Sequence, residues 1–96
     1  MKNLIISPKI AEKLSKKDPP VTRREVEQCF ENICGGLLVD TREQHKTNPP
    51  TLWFIARTNA NRELKIAYVL EAGLVYLKSA FDPNDEERRI YLKHAC

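Results

Sequence analysis

The chain has 96 residues, a hydrophobic content of 42%, a charged content of 30% and a formal net charge of +3. These values are ordinary for one soluble domain that forms its core without disulfides or metals. No apolar run approaches the ~20 residues of a membrane span, and the N-terminal run is too short for a signal peptide. We therefore expect a cytoplasmic protein without membrane contact. The mild positive charge permits an acidic partner or a nucleic acid and requires neither.

The three cysteines predict no disulfide framework and no zinc site, because their number is odd and they form no CxxC pair. Cys29 lies on the apolar stripe of a predicted helix and is expected to be buried. Cys34 lies at the C-terminal end of that helix, where the helix dipole disfavours a thiolate. We assign no chemistry to these residues or to Cys96.

The N-terminal part predicts an edge strand followed by two helices. Asn3 to Ile6 is a short apolar run that can add a strand to a sheet. Ser7-Pro8 indicates a helix start that Asp18-Pro19-Pro20 ends. Thr22 followed by Glu25 is a capping box, which predicts a second helix. We expect that helix to be closed by the pair Gly35-Gly36.

The C-terminal part predicts three antiparallel strands and a last helix. Leu37 to Val39 is a possible brief strand, and Asp40 to Pro50 a polar loop. Thr51 to Ala80 then alternates β-formers with two short turns, and connections this short require antiparallel neighbours. A third helix begins at Pro83 or Asn84. The predicted class is α+β, in the order (β)ααβββα, with an antiparallel meander packed against helices as one domain over residues 1–96.

Arg57 and Lys78 are the candidate phosphate-binding cations. Strand alternation places Lys78 on one face of its strand with Tyr76 and Ala80, and both cations lie toward strand ends. In a meander these ends can meet at one sheet edge, where two cations would bind phosphate. The alternative is that each is a solvated charge at a strand terminus.

His45 and Glu87 are the candidate proton-transfer groups. His45 lies in the polar loop beside Arg42, and a histidine near its ordinary pKa serves as an acid or a base. Glu87 and Tyr91 are four residues apart and share a helical face. An exposed loop histidine and a core tyrosine are the competing interpretations. No glycine-rich phosphate loop, HExxH, GxSxG or metal-ligand spacing is present.

Several segments together resemble the BrnT family of type II toxins, which are small RelE/ParE-like ribonucleases paired with an antitoxin. The order and spacing of the matching segments cover most of the chain. They are the run Val21 to Phe30, the polar Asp40-Thr41-Arg42-Glu43-Gln44-His45, the strand Trp53 to Thr58, and Ser79-Ala80 followed by Glu87 to Tyr91.

The resemblance implies metal-independent RNA cleavage, in which a 2′-hydroxyl attacks the adjacent phosphate without any cofactor. In that mechanism Arg57 and Lys78 would stabilise the phosphate, and His45 or Glu87 would transfer protons. Arg42, Lys65 and Tyr91 would contact the RNA. The implied partners are RNA and a cognate antitoxin protein.

One departure from the family pattern favours a different function. Where family members have Arg-Lys after Ser-Ala, this chain has Phe81-Asp82, which removes two cations and adds an anion. The alternative is therefore a non-catalytic protein-binding module of the same fold. The chain also lacks the acidic metal ligands of ADP-ribosyl-(dinitrogen reductase) hydrolases, a class to which similar short sequences have been assigned, and we do not expect that activity.

Overall fold

A computed structural model describes residues 1–41 and 48–95 as an α+β fold with three helices and a five-stranded mixed sheet. The elements, in chain order, are β1 (Leu4–Ile5), α1 (Pro8–Ser15), α2 (Arg23–Glu31), β2 (Leu38–Val39), β3 (Thr51–Arg57), β4 (Glu63–Glu71), β5 (Leu74–Phe81) and α3 (Asp85–His94). The predicted α+β class and the predicted edge strand and brief strand are confirmed.

The helix starts follow from capping residues that the sequence makes visible. The Ser7 hydroxyl accepts a hydrogen bond from the Ile10 amide, and Pro8 occupies the first turn of α1. In α2, the Thr22 hydroxyl and the Glu25 carboxylate each accept a hydrogen bond from the other's amide. These contacts satisfy amides that have no partner within the helix. Both predicted N-termini are confirmed.

The predicted end of α2 is wrong. The helix ends at Glu31, with Asn32 as its C-cap, rather than at the pair Gly35-Gly36. The Asn32 side-chain amide donates hydrogen bonds of 2.9 Å to the Arg57 carbonyl and to the Asn59 side chain. These bonds to the turn after β3 anchor the C-cap, so the chain leaves the helix one turn before the glycines.

The sheet has the strand order β1-β5-β4-β3-β2, in which only β1 and β5 are parallel. The β4–β5 hairpin turns at Ala72 and Gly73, whose φ values are 53° and 78°. Two consecutive positive φ values define a type I′ turn, whose twist matches that of antiparallel strands. The three long strands therefore form the predicted meander, and short strands extend it at both edges.

A bulge in β5 changes the face of half of that strand. Leu77 pairs with Tyr68, while Ser79 pairs with the preceding residue Ala67, so Lys78 is an extra residue in the ladder. A bulge of this kind resets the alternation of side chains. The prediction that Tyr76, Lys78 and Ala80 share one face is therefore wrong.

The core lies on both faces of the sheet. On one face, the Phe30 ring of α2 packs edge-on against the rings of Phe54 and Tyr68, at centroid distances of 4.9 and 5.2 Å. On the other face, Tyr91 of α3 packs against Trp53 with centroids 5.8 Å apart. Cys29 is fully buried, as predicted. Within residues 1–41 and 48–95, no helix combines the length and apolarity needed to cross a membrane.

Candidate functional site

Arg57 lies at the C-terminal end of β3 and is already engaged with its neighbours. Its Nη2 lies 3.6 Å from Glu63 Oε2, and its Nη1 donates a 3.2 Å hydrogen bond to the Asn61 carbonyl. The side chain is nevertheless 55% exposed. A guanidinium has five N–H donors, so these two contacts leave others for a ligand.

Lys78 lies in the middle of β5, far from Arg57 at the end of β3. Arg57 pairs with Glu63 at the beginning of β4, whereas Lys78 projects from β5 opposite the step between Ala67 and Tyr68. The two residues are thus separated by roughly 15 Å along the strands and by two strand spacings, about 10 Å, across them. The prediction that Arg57 and Lys78 meet at one edge is wrong, because the strand register keeps them apart.

Lys78 instead meets two lysines of α1. We call this surface the α1–β5 groove. It encloses about 330 Å³ and is lined by Ile5, Ser7, Lys9, Ile10, Lys13, Tyr76, Leu77 and Lys78. Lys9 and Lys13 are one helical turn apart and so project from the same side of α1. The groove is therefore lined by three lysines and by the partly exposed Tyr76.

The lysines of the α1–β5 groove are not neutralised by the described part of the chain. Within it, no carboxylate lies within 4.0 Å of the ammonium group of Lys9, Lys13 or Lys78. The neighbouring Lys16 differs, because its ammonium is 2.9 Å from Glu12 Oε1. As far as residues 1–41 and 48–95 show, the groove is a positive surface without carboxylate partners, of the kind that attracts a polyanion.

Lys65 and Glu87 form an ion pair beneath α3. The Lys65 Nζ lies 2.7 Å from Glu87 Oε2 and 4.5 Å from the centre of the Trp53 ring. Only 8% of the Lys65 side chain is exposed. The family resemblance implied that Lys65 contacts RNA. In the structure, its ammonium group is instead nearly buried in the ion pair with Glu87.

Glu87 also has a structural role at the start of α3. Its Oε1 accepts a 2.9 Å hydrogen bond from the Asn84 amide, and its own amide donates to Asn84 Oδ1 at 2.8 Å. This capping box and the ion pair engage both carboxylate oxygens. The predicted proton-transfer role would require Glu87 to release one of these partners. The spacing Asn84-x-x-Glu87 was a signal for the cap that the sequence analysis missed.

Tyr91 belongs to the core rather than to an exposed surface. It is buried, and its hydroxyl donates a 2.7 Å hydrogen bond to the Gly36 carbonyl. This bond joins α3 to the connection between α2 and β2. The expectation that Tyr91 positions RNA is therefore replaced by a packing role, and the tyrosine exposed beside cations is Tyr76.

The departure Phe81-Asp82 also has structural partners. The Phe81 ring lies beneath two ammonium groups, with Lys65 Nζ at 5.5 Å and Lys17 Nζ at 5.6 Å from its centre. Asp82 Oδ1 lies 3.6 Å from Nε of Arg62. Both residues thus contact cations of the chain itself. The two cations that family members carry at these positions are absent.

The remaining predicted site residues, Arg42 and His45, lie outside the described residues. Another cleft of the described part encloses about 620 Å³ between β2 and α3. It is lined by residues that include Thr41, Trp53, Lys65, Glu87 and His94. No group of three potential metal ligands occurs in residues 1–41 and 48–95. This cleft brings together Lys65 and Glu87 but neither Arg57 nor Lys78.

The two cysteines of the described part differ in environment. Cys29 is buried, and burial is the main reason that the pKa of its thiol is raised to about 11, with a further contribution from the Glu25 carboxylate. Cys34 is exposed. Cys29 is therefore a neutral core thiol under ordinary conditions, as the sequence predicted.

Comparison of this chain with protein-family models, with curated proteins and with solved structures finds no match.

Proposed function

We propose that this protein binds RNA in the α1–β5 groove. The observation that carries the proposal is that Lys9, Lys13 and Lys78, without described carboxylate partners, line one groove together with the partly exposed Tyr76. Ammonium groups bind the phosphates of a nucleic acid backbone, and an aromatic ring offers a surface on which an unpaired base stacks. The overall charge of +3 is small, but three lysines line this one groove.

The RNA-cleaving step implied by the BrnT resemblance is a separate part of the proposal. Attack by a 2′-hydroxyl needs a base, an acid and a cation at the phosphate. Among the described residues, Arg57 and Lys78 are far apart and Glu87 is held by two partners. The proposed cleavage therefore depends on His45. The identity of the fold as RelE/ParE-like belongs to the same proposal, and the βααββββα order is compatible with it.

Protein binding is the second candidate function, and an exposed apolar residue favours it. Leu92 of α3 is 64% exposed, which makes it the most exposed large hydrophobic residue of the described part. An apolar side chain of this size gains about 2 kcal/mol when a partner covers it completely. The two functions use different surfaces and do not exclude each other.

RNA binding is tested by fluorescence anisotropy with a labelled single-stranded RNA at increasing salt. Three phosphate contacts predict a slope of about −2 in log K against log salt concentration. We expect the triple variant K9A/K13A/K78A to bind at least tenfold more weakly at low salt. Lys16→Ala is the control, because Lys16 is the C-cap of α1, lies outside the groove and is paired with Glu12. Equal binding by wild type and the triple variant would contradict the proposal.

Cleavage is tested on the same RNA in the presence of EDTA and by growth of cells that express the protein. We expect wild type to cleave RNA without metal and to arrest growth, and co-expression of a cognate antitoxin to relieve the arrest. His45→Ala should lose both activities and retain RNA binding. If wild type binds RNA but neither cleaves it nor arrests growth, the protein is an RNA-binding module and the nuclease proposal is wrong.

A further inference from the structure

A second pocket lies at the opposite end of β3 from β2, between that strand and α3. We call it the Leu92 pocket. It encloses about 260 Å³ and is lined by Asn32, Cys34, Ile55, Ala56, Arg57, Glu63, Arg88, Tyr91 and Leu92. The apolar residues of this lining include Ile55 of β3 and Leu92 of α3. A pocket with apolar walls beside an exposed leucine is a site where an apolar side chain of a partner is removed from water.

The mouth of the Leu92 pocket carries an excess of positive charge. Arg57 and Arg88 both contact the carboxylate of Glu63, so two guanidinium groups share one anion of the pocket. Arg88 has a second partner, Asp85, but that carboxylate is fully exposed and lies outside the pocket lining. The side chains of Arg57 and Arg88 are nevertheless 55% and 40% exposed, so both guanidinium groups remain accessible from solvent. A further carboxylate would therefore find unused N–H donors on Arg57 and Arg88.

We propose that the Leu92 pocket docks an acidic, aliphatic segment of a partner protein. One aliphatic side chain of the segment enters the pocket against Ile55 and Leu92, and a carboxylate beside it binds the guanidinium of Arg57. RNA fits this surface less well, because Glu63 repels phosphate and no exposed aromatic ring lines the pocket. This surface is separate from the α1–β5 groove, so the inference does not depend on RNA binding.

Binding is measured by fluorescence anisotropy with the labelled peptide EELLEELE as the acidic, aliphatic probe. The charge-reversed peptide KKLLKKLK is the control ligand, and we expect it to bind at least tenfold more weakly. The location of the bound peptide is read from Cys34, which lines the pocket. In a Cys96→Ser background, the bound peptide should slow the reaction of Cys34 with a thiol reagent severalfold.

Two variants and a matched control assign the binding to this pocket. Leu92→Ser should weaken peptide binding at least tenfold, and Arg57→Gln about fivefold. Leu37→Ser is the control, because Leu37 is 47% exposed and lies outside the pocket, so it should change the affinity less than twofold. Circular dichroism verifies that each variant is folded.

Three results would overturn the proposal. The first is that the acidic peptide does not bind wild type. The second is that Leu92→Ser and Leu37→Ser lose peptide affinity equally. The third is that peptide binding leaves the rate of Cys34 modification unchanged. A loss of RNA affinity in Leu92→Ser, without loss of peptide affinity, would assign the pocket to RNA instead. The three peptide results do not bear on the K9A/K13A/K78A measurement, so failure of the docking proposal is distinguishable from failure of RNA binding in the α1–β5 groove.

Discussion

The ammonium group of Lys65 lies 2.7 Å from the carboxylate of Glu87, and this ion pair joins the centre of the sheet to the first turn of α3. The two partners are 22 positions apart in the sequence, and most of the β4–β5 hairpin lies between them. Lys65 also lies over the faces of Trp53 and Phe81. A group that the family resemblance assigns to RNA is therefore used to fix a helix on the sheet.

We expect Glu87→Gln to destabilise the protein by about 2–4 kcal/mol, because the nearly buried ammonium of Lys65 loses its counter-charge. Glutamine retains an oxygen that accepts the Asn84 amide, so the cap is conserved. The free energy of unfolding is measured by urea denaturation. The control is Glu86→Gln, which removes an exposed contact with Arg89 at 3.9 Å and should cost less than about 0.5 kcal/mol.

The double variant K65M/E87Q separates the charge from the packing. Since it removes both charged groups, it should be more stable than Glu87→Gln alone. A double variant less stable than Glu87→Gln would show that Lys65 contributes chiefly through its contacts with the aromatic rings.

We expect Ala72→Gly to stabilise the protein by about 0.5–1 kcal/mol, because an alanine at positive φ is strained while glycine is not. Ala72 has a φ of 53° in the type I′ turn between β4 and β5. Gly73→Ala should destabilise the protein, because Gly73 has a φ of 78°, which strains an alanine. A Cβ at this position meets no atom within 4 Å, so the effect comes from the backbone and not from a clash. Thermal unfolding of both variants checks the two signs. A destabilised Ala72→Gly variant would contradict the assigned turn geometry.

The two described cysteines should differ in reactivity. At pH 8, in a Cys96→Ser background, a thiol reagent should modify the exposed Cys34 rapidly, and Cys29 only after denaturant is added. The reason is that Cys29 is buried and its pKa is raised to about 11. A count of two thiols titrated without denaturant would contradict this assignment.

The raised pKa of Cys29 also makes stability depend on pH. The unfolded thiol ionises near its ordinary pKa of 9.0, whereas the folded thiol resists ionisation until about 11. The contribution of Cys29 is therefore complete below pH 9 and is lost as pH rises toward 11. Cys29→Ala should remove this component of the pH dependence, as measured by urea denaturation between pH 8 and 11.

We expect Tyr91→Phe to destabilise the protein by about 1 kcal/mol without weakening RNA binding. The lost hydroxyl donates to the Gly36 carbonyl, and a typical intramolecular hydrogen bond is worth about that much. Urea denaturation and the anisotropy assay measure the two effects. Weaker RNA binding with unchanged stability would restore the RNA-contacting role that the sequence suggested.

Local features of the fold were predictable because they depend on residues close together in the sequence. Ser7 and Thr22 cap their helices through contacts made within three residues, and the hairpin turns follow from neighbouring small residues. The end of α2 was not predictable, because Asn32 is held by groups at Arg57 and Asn59. Such partners are brought close only by the completed fold.

The candidate site was predicted least well, because it depends on strand register. Alternation along an ideal strand places Lys78 on the same face as Tyr76. A meander also permits Lys78 to lie close to Arg57 at one edge of the sheet. The observed pairing of β4 with β5 inserts Lys78 as an extra residue, and no local pattern in the sequence signals this insertion. The lysines of α1 were visible, but as ordinary solvated charges. Only the packing of α1 against β5 brings them to Lys78.

One residue, Lys78, determines both the pairing of β5 and the charge of the groove beside it. Deletion of Lys78 would let the side chains of β5 alternate regularly along the whole strand. It would also remove one cation from the α1–β5 groove. A homologue that lacks this residue would therefore be expected to differ from this protein in two ways: in which side chains of β5 face the core, and in how strongly the groove attracts anions.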